Sequence, residues 1–145
     1  MSRKKIILIA AIVLITAAAT AAFLLWNKPH KDVKDASGLT VNARELYSQY
    51  VSDSAKASAA YTDKILQVTG EVARLSANQQ NQQIILLKTT VPGAYINCTM
   101  EENSQTIKEG GIVTIKGICS GYMGGDADMG LPGDVFLVRG YPTTK

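Results

Sequence analysis

The stretch LQVTGEV, Leu66–Val72, is the clearest indication of the fold, because every second position in it is apolar or glycine. Positions 66, 68, 70 and 72 fall on one face of a strand and the polar positions on the other, the pattern of a strand with one buried face. A glycine inside a strand marks a bend, and Gly117 stands in a similar run further along. Two such bends are typical of a small closed barrel.

Four more strands follow in the alternating pattern. The polar run Ser76–Gln83 (SANQQNQQ) predicts a hairpin loop, and IILLK (84–88) predicts its partner strand. Further strands are predicted at Ala94–Met100, Ile112–Cys119 and Val135–Val138, with the polar connector Glu101–Lys108 leaving room for one or two helical turns. Five strands with a helix between the third and the fourth are in the order of the OB-fold.

A helix is predicted to precede the barrel. Asn42-Ala43-Arg44-Glu45 has a capping residue with a glutamate three positions later, and Leu46, Tyr50, Ala57 and Tyr61 form an apolar stripe at helical spacing. No breaker interrupts the alanine-rich run Ser54–Ala60. We expect the tyrosines to pack against the core and the helix to lie across one end of the barrel.

The N-terminus contains a segment of membrane-spanning length. Ile6–Trp26 has 21 residues without a charge, enough for a helix of about 30 Å, and Arg3-Lys4-Lys5 precede it. The basic residues predict a single-pass inner (cytoplasmic) membrane protein with a cytoplasmic N-terminus and an exported C-terminal domain. A cleaved signal peptide is the alternative, with small-residue sites at Ala17-Ala18-Ala19 or Ala19-Thr20-Ala21. The predicted organisation is a transmembrane signal-anchor at 1–26, a linker at 27–39 containing the only histidine, His30, and an OB-fold domain at 40–142.

The net charge of +3 is located in the first few residues. Arg3, Lys4 and Lys5 are three of the 15 Lys/Arg, so 12 remain after Trp26 against 12 Asp/Glu. An exported domain with a formal charge of zero offers no basic surface for a phosphate backbone, so nucleic acid is disfavoured as a partner.

The sequence also resembles a known family. The residues that carry the resemblance are Ala43-x-Glu45-Leu46-x3-Tyr50, Ala57-x3-Tyr61-x2-Lys64-x3-Val68-x-Gly70-x-Val72, Cys98, and Gly111-x-Val113-x3-Gly117-x-Cys119-x-Gly121. Over roughly residues 40–140 the chain is similar to the exported tRNA-anti-like OB-fold proteins. The resemblance implies the OB-fold and export, but it brings no catalytic residues, because the shared positions are packing and turn residues.

The candidate ligand-binding residues lie on two loops. In an OB-fold the first hairpin loop and the connection between the last two strands form the lip of the ligand site. We therefore assign ligand binding to residues of these loops: Gln79, Gln80, Gln82, Tyr122, Asp126 and Asp128. An amide-rich rim suits hydrogen bonding to an oligosaccharide or a peptide better than phosphate binding. A solvated loop without a partner is the alternative.

Motifs for catalysis, metal and cofactor are missing from the sequence. Asp126-Ala127-Asp128-Met129-Gly130 begins like a calcium loop but has no closing glutamate, and GYMGG lacks the lysine and Ser/Thr of a phosphate-binding loop. His30 stands outside the predicted domain, which excludes Ser–His, Cys–His and multi-histidine sites there. We expect no enzyme, no metal and no cofactor. The leading hypothesis is a membrane-anchored, exported OB-fold binding or interaction module for a protein, peptide or oligosaccharide. The alternatives are a structural envelope scaffold and, more weakly, single-stranded nucleic-acid binding.

The two cysteines, Cys98 and Cys119, are expected to form a disulfide in the oxidising compartment outside the inner membrane. Alternation turns both toward the barrel interior. In the OB order the fifth strand separates theirs, so the bridge would cross the interior, and Cα atoms more than about 7 Å apart would forbid it. Closing this loop would contribute on the order of 3 kcal/mol.

Overall fold

The structure, a computed structural model, describes residues 2–26, 32–126 and 128–143. The chain forms two compact units, Met1–Asp32 and Val33–Lys145. Residues 27–31 of the predicted linker, including His30, lie outside the described residues.

The first unit contains helix α1, Arg3–Trp26, in which no side chain is buried. Its length and composition suffice to cross a membrane, although a signal sequence near an N-terminus passes the same test. Thr16 and Thr20 donate their hydroxyls to the carbonyl oxygens of Ile12 and Thr16, at 3.0 and 2.7 Å. The helix therefore satisfies these two polar side chains with its own backbone carbonyl groups.

The second unit is a closed barrel with two helices. Its elements are β1 (Leu39–Asn42), α2 (Ala43–Ser52), α3 (Ser54–Tyr61), β2 (Ile65–Ala77), β3 (Gln83–Lys88), β4 (Tyr95–Met100), β5 (Ile112–Met123) and β6 (Asp134–Thr143). The strand order is β1-β2-β3-β4-β6-β5, and a further pairing of β2 with β5 closes five strands into a barrel. β4 and β6 are parallel and the other barrel pairs are antiparallel. The predicted five-stranded OB-fold barrel is confirmed.

Several elements differ from the sequence prediction. The single predicted helix is two helices, because Asp53 leaves the helical conformation and its carboxylate accepts the N–H of Lys56 at the start of α3. β1 was not predicted; it is the edge strand of the sheet and pairs in parallel with β2. The described connector 101–111 contains turns and bends but no helix, so the predicted helical turns there are wrong. β2 extends to Ala77 and β3 begins at Gln83, which shortens the hairpin loop to residues 78–82. β5 also runs further than expected, to Met123.

The barrel interior is filled by the alternating inward positions of the strands and by α2. Leu46, Tyr47 and Tyr50 of α2 are almost completely buried, and α2 contacts strands β1 to β4. The predicted packing of the tyrosines against the core is therefore observed. The inward strand residues are Leu66, Val68, Val72, Ile85, Leu87, Ile96, Cys98, Met100, Ile115, Cys119, Val135 and Leu137.

The described residues just before β1 are packed on the barrel. Val33 is fully buried, and the Lys116 ammonium donates to the carbonyl oxygens of Lys34 and Ala36 at 3.0 and 2.9 Å. These residues fall within the segment 27–39 that was predicted to be a linker. The proposed domain boundaries stay a prediction.

Candidate ligand-binding face

The β2–β3 hairpin loop has a fixed conformation of its own. The Asn78 side-chain oxygen accepts the N–H groups of Gln80 and Gln82 at 3.0 Å each, and its amide donates to the Gln82 side chain at 2.9 Å. Asn81 adopts a left-handed φ of 60°, which asparagine tolerates better than most residues. Gln79 and Gln80 stay exposed, whereas Gln82 supports the loop. Two of the three predicted glutamines therefore present their side chains to solvent.

The hairpin loop is also fastened to the connector that follows β4. Gln83 accepts the N–H of Ser104 at 2.8 Å and donates to the Ser104 carbonyl oxygen at 3.1 Å. Asn103 accepts the N–H of Gln83 and donates to the carbonyl oxygen of Asn81. These bonds hold the rim of the barrel in one position, which lowers the ordering entropy that a ligand would have to overcome.

The other predicted residues have different roles: Asp126 and Asp128 lie in the β5–β6 loop, and Tyr122 lies near the end of β5. Asp126 accepts the N–H groups of Asp128 and Met129 at 2.9 and 3.2 Å, so its carboxylate forms the turn. Tyr122 is half-buried and stacks on Tyr50, with ring centroids 6.0 Å apart and an interplanar angle of 20°. Tyr122 therefore packs with the helix instead of standing at the lip. Asp128 remains exposed.

The two loops lie at opposite ends of β4 and do not form one cluster. Ile84, just after the hairpin loop, pairs with Thr99 at the end of β4. Asp134, just after the β5–β6 loop, accepts the N–H of Tyr95 at the start of β4 at 2.8 Å. The four residue steps from Tyr95 to Thr99, at about 3.3 Å each, place the loops roughly 13 Å apart along the strand. They border a sheet face between them.

That surface, here called the β3–β4–β6 face, consists of the outward residues of the three strands. Leu86 pairs with Asn97, and Asn97 pairs in turn with Phe136, so the three form one row across the strands. Tyr95 stands in the next row beside Lys88. Leu86, Tyr95, Asn97 and Phe136 are half-buried and therefore partly open to solvent. Sequence reasoning missed this face, although alternation in the predicted strands already turned these residues outward.

Three glutamates at the surface of the barrel unit form ion pairs. Glu102 lies 3.2 Å from the Lys34 ammonium, and Glu101 lies 4.0 Å from the Arg139 guanidinium. Glu71 binds Lys88 at the edge of the β3–β4–β6 face, and this hydrogen bond lowers the pKa of the Glu71 carboxyl. Among the described residues, no group of three or more His, Cys, Asp and Glu is placed to hold a metal.

The disulfide prediction is wrong, because Cys98 and Cys119 are both free and fully buried. Both register with Leu137 of β6, one on each side of that strand. Strands lie about 4.8 Å apart, so the cysteine Cα atoms are separated by about 10 Å, beyond the roughly 7 Å that a disulfide can bridge. Burial raises the pKa of both thiols, which favours the unreactive protonated form.

Fold and site together define a small OB-fold protein whose barrel carries a partly apolar outer face between two polar loops. The chain belongs to the tRNA_anti-like family, whose model matches residues 1–129. No curated protein matches it. A solved structure from Klebsiella pneumoniae subsp. pneumoniae, described as a "putative nucleic acid-binding lipoprotein", is similar at 18% identity and a TM-score of 0.49, covering 81% of this chain and 100% of that chain.

Proposed function

We propose that this protein is a membrane-anchored, exported OB-fold binding module without catalytic activity, which holds an uncharged peptide or oligosaccharide on the β3–β4–β6 face. The half-buried row Leu86–Asn97–Phe136 is the observation that supports this most. Aliphatic and aromatic groups around one amide allow apolar contact and hydrogen bonding on the same surface. In this proposal the exposed side chains of Gln79, Gln80 and Asp128 contact the ends of the ligand. The side chains of Gln82, Asp126 and Tyr122 would hold the loops in place.

The charge distribution supports a ligand without a phosphate backbone. Lys88 at the edge of the face is paired with Glu71, and the chain after Trp26 has equal numbers of basic and acidic residues. Binding to a phosphate backbone draws its affinity from several unpaired cations. Tyr95 and Phe136 on one outer surface do favour a second candidate function, single-stranded nucleic-acid binding, because bases stack on exposed aromatic rings.

A binding comparison tests the proposal. The full chain, purified in detergent micelles, is titrated with unstructured neutral peptides, neutral oligosaccharides and a 20-residue oligothymidylate. We expect saturable binding of a peptide or an oligosaccharide, weakened at least tenfold by Phe136→Ala. The control Val51→Ala changes an exposed residue on α2 and should bind as the wild type does. Binding of oligothymidylate alone would establish the second candidate, and a Phe136→Ala protein with unchanged affinity would refute the proposed face.

A further inference from the structure

A second concave surface lies on a different part of the barrel wall, away from the β3–β4–β6 face. It is an open groove of about 760 Å³ over the outer side of β1, β2 and β5. The connector residues Thr106–Lys108 form one wall, and Pro142 and Thr143 at the end of β6 form the other. Its volume is in the range of sites that bind small ligands, roughly 300–1,000 Å³. We call it the threonine groove.

The floor of the groove consists of uncharged hydrogen-bonding side chains in register. Thr69 pairs with Thr114, and Thr114 pairs with Thr143, so three hydroxyls cross three adjacent strands in one row. The Thr69 and Thr114 hydroxyl oxygens are 2.8 Å apart and share a hydrogen bond. That bond uses one of their two hydroxyl hydrogens, so the pair keeps one donor and several lone pairs for a ligand. Gln67 adds an amide in the neighbouring row.

The charge of the groove restricts the class of ligand. Among the described residues that line it, Lys108 is the only charged one, and no carboxylate is present. The nearby Lys116 directs its ammonium at the carbonyl oxygens of Lys34 and Ala36, so its charge is used in holding that segment. A polyanion would find one cation here, whereas affinity for a phosphate backbone needs several. A neutral ligand, by contrast, loses little hydration free energy when it moves from water to this surface.

The groove also offers a highly exposed apolar side chain. Ile112 is 79% exposed, the largest exposed fraction among the large hydrophobic side chains described for the barrel unit. An exposed isoleucine beside rows of hydroxyls matches a sugar ring, which has hydroxyls at its edge and C–H groups on its face. We propose that the threonine groove is a second binding site, and that its ligand is a neutral oligosaccharide held by the hydroxyl row, Gln67 and Ile112. This inference stands apart from the proposed function, which concerns the other face.

The test is titration of the full chain in detergent micelles with N-acetylchitohexaose, a neutral sugar chain with acetamido groups. Thr69→Val combined with Thr114→Val removes both hydroxyls and keeps the β-branched shape, and we expect at least a tenfold loss of affinity. Thr90→Val makes the same change at an exposed residue after the end of β3, outside both the groove and the β3–β4–β6 face, and should leave the affinity unchanged. Thermal unfolding of each variant shows whether it is folded.

Three results would overturn the groove as the sugar site. The first is no saturable binding of the hexasaccharide at millimolar concentration, and the second is equal binding of an anionic oligogalacturonate. The third is full affinity in the double valine variant. If that variant binds normally while Phe136→Ala does not, the sugar lies on the β3–β4–β6 face, so the groove fails and the proposed function stands.

Discussion

At the scale of single residues, the cysteines carry a prediction about reactivity. The Cys119 sulfur and the Tyr50 hydroxyl oxygen are 3.3 Å apart and share a hydrogen bond, and Cys98 is fully buried in the apolar core. Because burial favours both protonated thiols, the folded protein should resist thiol reagents at neutral pH. Titration with a chromogenic disulfide should detect almost no thiol in the folded chain and two after unfolding without reductant. One or none after unfolding would contradict the free thiols.

Gly70 carries a prediction about packing. A Cβ at this position would stand 2.8 Å from the Ala43 Cβ, closer than real Cβ contacts, and 3.3 Å from the Leu87 Cβ, which is tighter than most of them. Gly70→Ala should therefore lower the free energy of unfolding by about 1–3 kcal/mol, measured by denaturant unfolding. Gly124→Ala is the control, since the nearest atom to its added Cβ is 3.8 Å away.

The cause of that loss can be isolated with a second substitution. Ala43→Gly removes the atom that a Gly70→Ala side chain would meet first. If the close approach of α2 to β2 is responsible, the two changes together should cost less than the sum of their separate costs. Strictly additive costs would show that Gly70 is required for another reason.

At the scale of elements, Asp53 explains why one predicted helix is two. The backbone N–H of Asp53 ends α2 on the carbonyl oxygen of Gln49, and its carboxylate begins α3 on the N–H of Lys56. Asp53→Ala should lower the free energy of unfolding by about 0.5–2 kcal/mol, because it removes an N-cap. Asp53→Asn keeps a capping oxygen and should lose much less. Equal losses in chemical denaturation would contradict the capping role.

The elements also show what the sequence could predict. Alternation in Leu66–Val72 and Ala94–Met100 predicted two barrel strands with the correct inward residues, since those patterns reflect burial directly. β1 has four residues, only one of them buried, and it depends on pairing with β2, a contact that local patterns do not contain. The loop residues were assigned from their place in an OB-fold. The internal roles of Gln82 and Asp126 depend on turn geometry that composition does not reveal.

At the scale of the whole molecule, the buried tyrosines connect stability to pH. Burial raises the pKa of Tyr47 and Tyr50 to about 12, above the ordinary value of 10.0. Between pH 10 and pH 12 the unfolded chain loses protons that the folded chain keeps. The free energy of unfolding therefore keeps its full value below pH 10 and falls as the pH rises toward 12. The loss is on the order of 1–3 kcal/mol for each tyrosine.

Denaturant unfolding at several pH values between 8 and 11.5 measures this effect. Tyr47→Phe combined with Tyr50→Phe should lower stability at pH 8, because the Tyr50 hydroxyl loses its bonds to Thr62 and Cys119. The same variant should flatten the decline above pH 10, since the groups that titrate are gone. A decline as steep as that of the wild type would assign the alkaline instability to other groups.

The proposed topology makes a prediction for the whole chain. Helix α1 has the length and composition to cross a bilayer, and Arg3, Lys4 and Lys5 stand at its N-terminal end. Positive charges favour the cytoplasmic side, so the barrel should be exported while the helix remains as the anchor. A phosphatase reporter fused after Lys145 should be active outside the cytoplasm, and the protein should stay in the membrane fraction after a carbonate wash. A chain without residues 2–26 is the control, and its reporter should be inactive. Release of a soluble form that begins near Ala22 would instead show cleavage of a signal peptide, because the small residues of 17–21 match such sites.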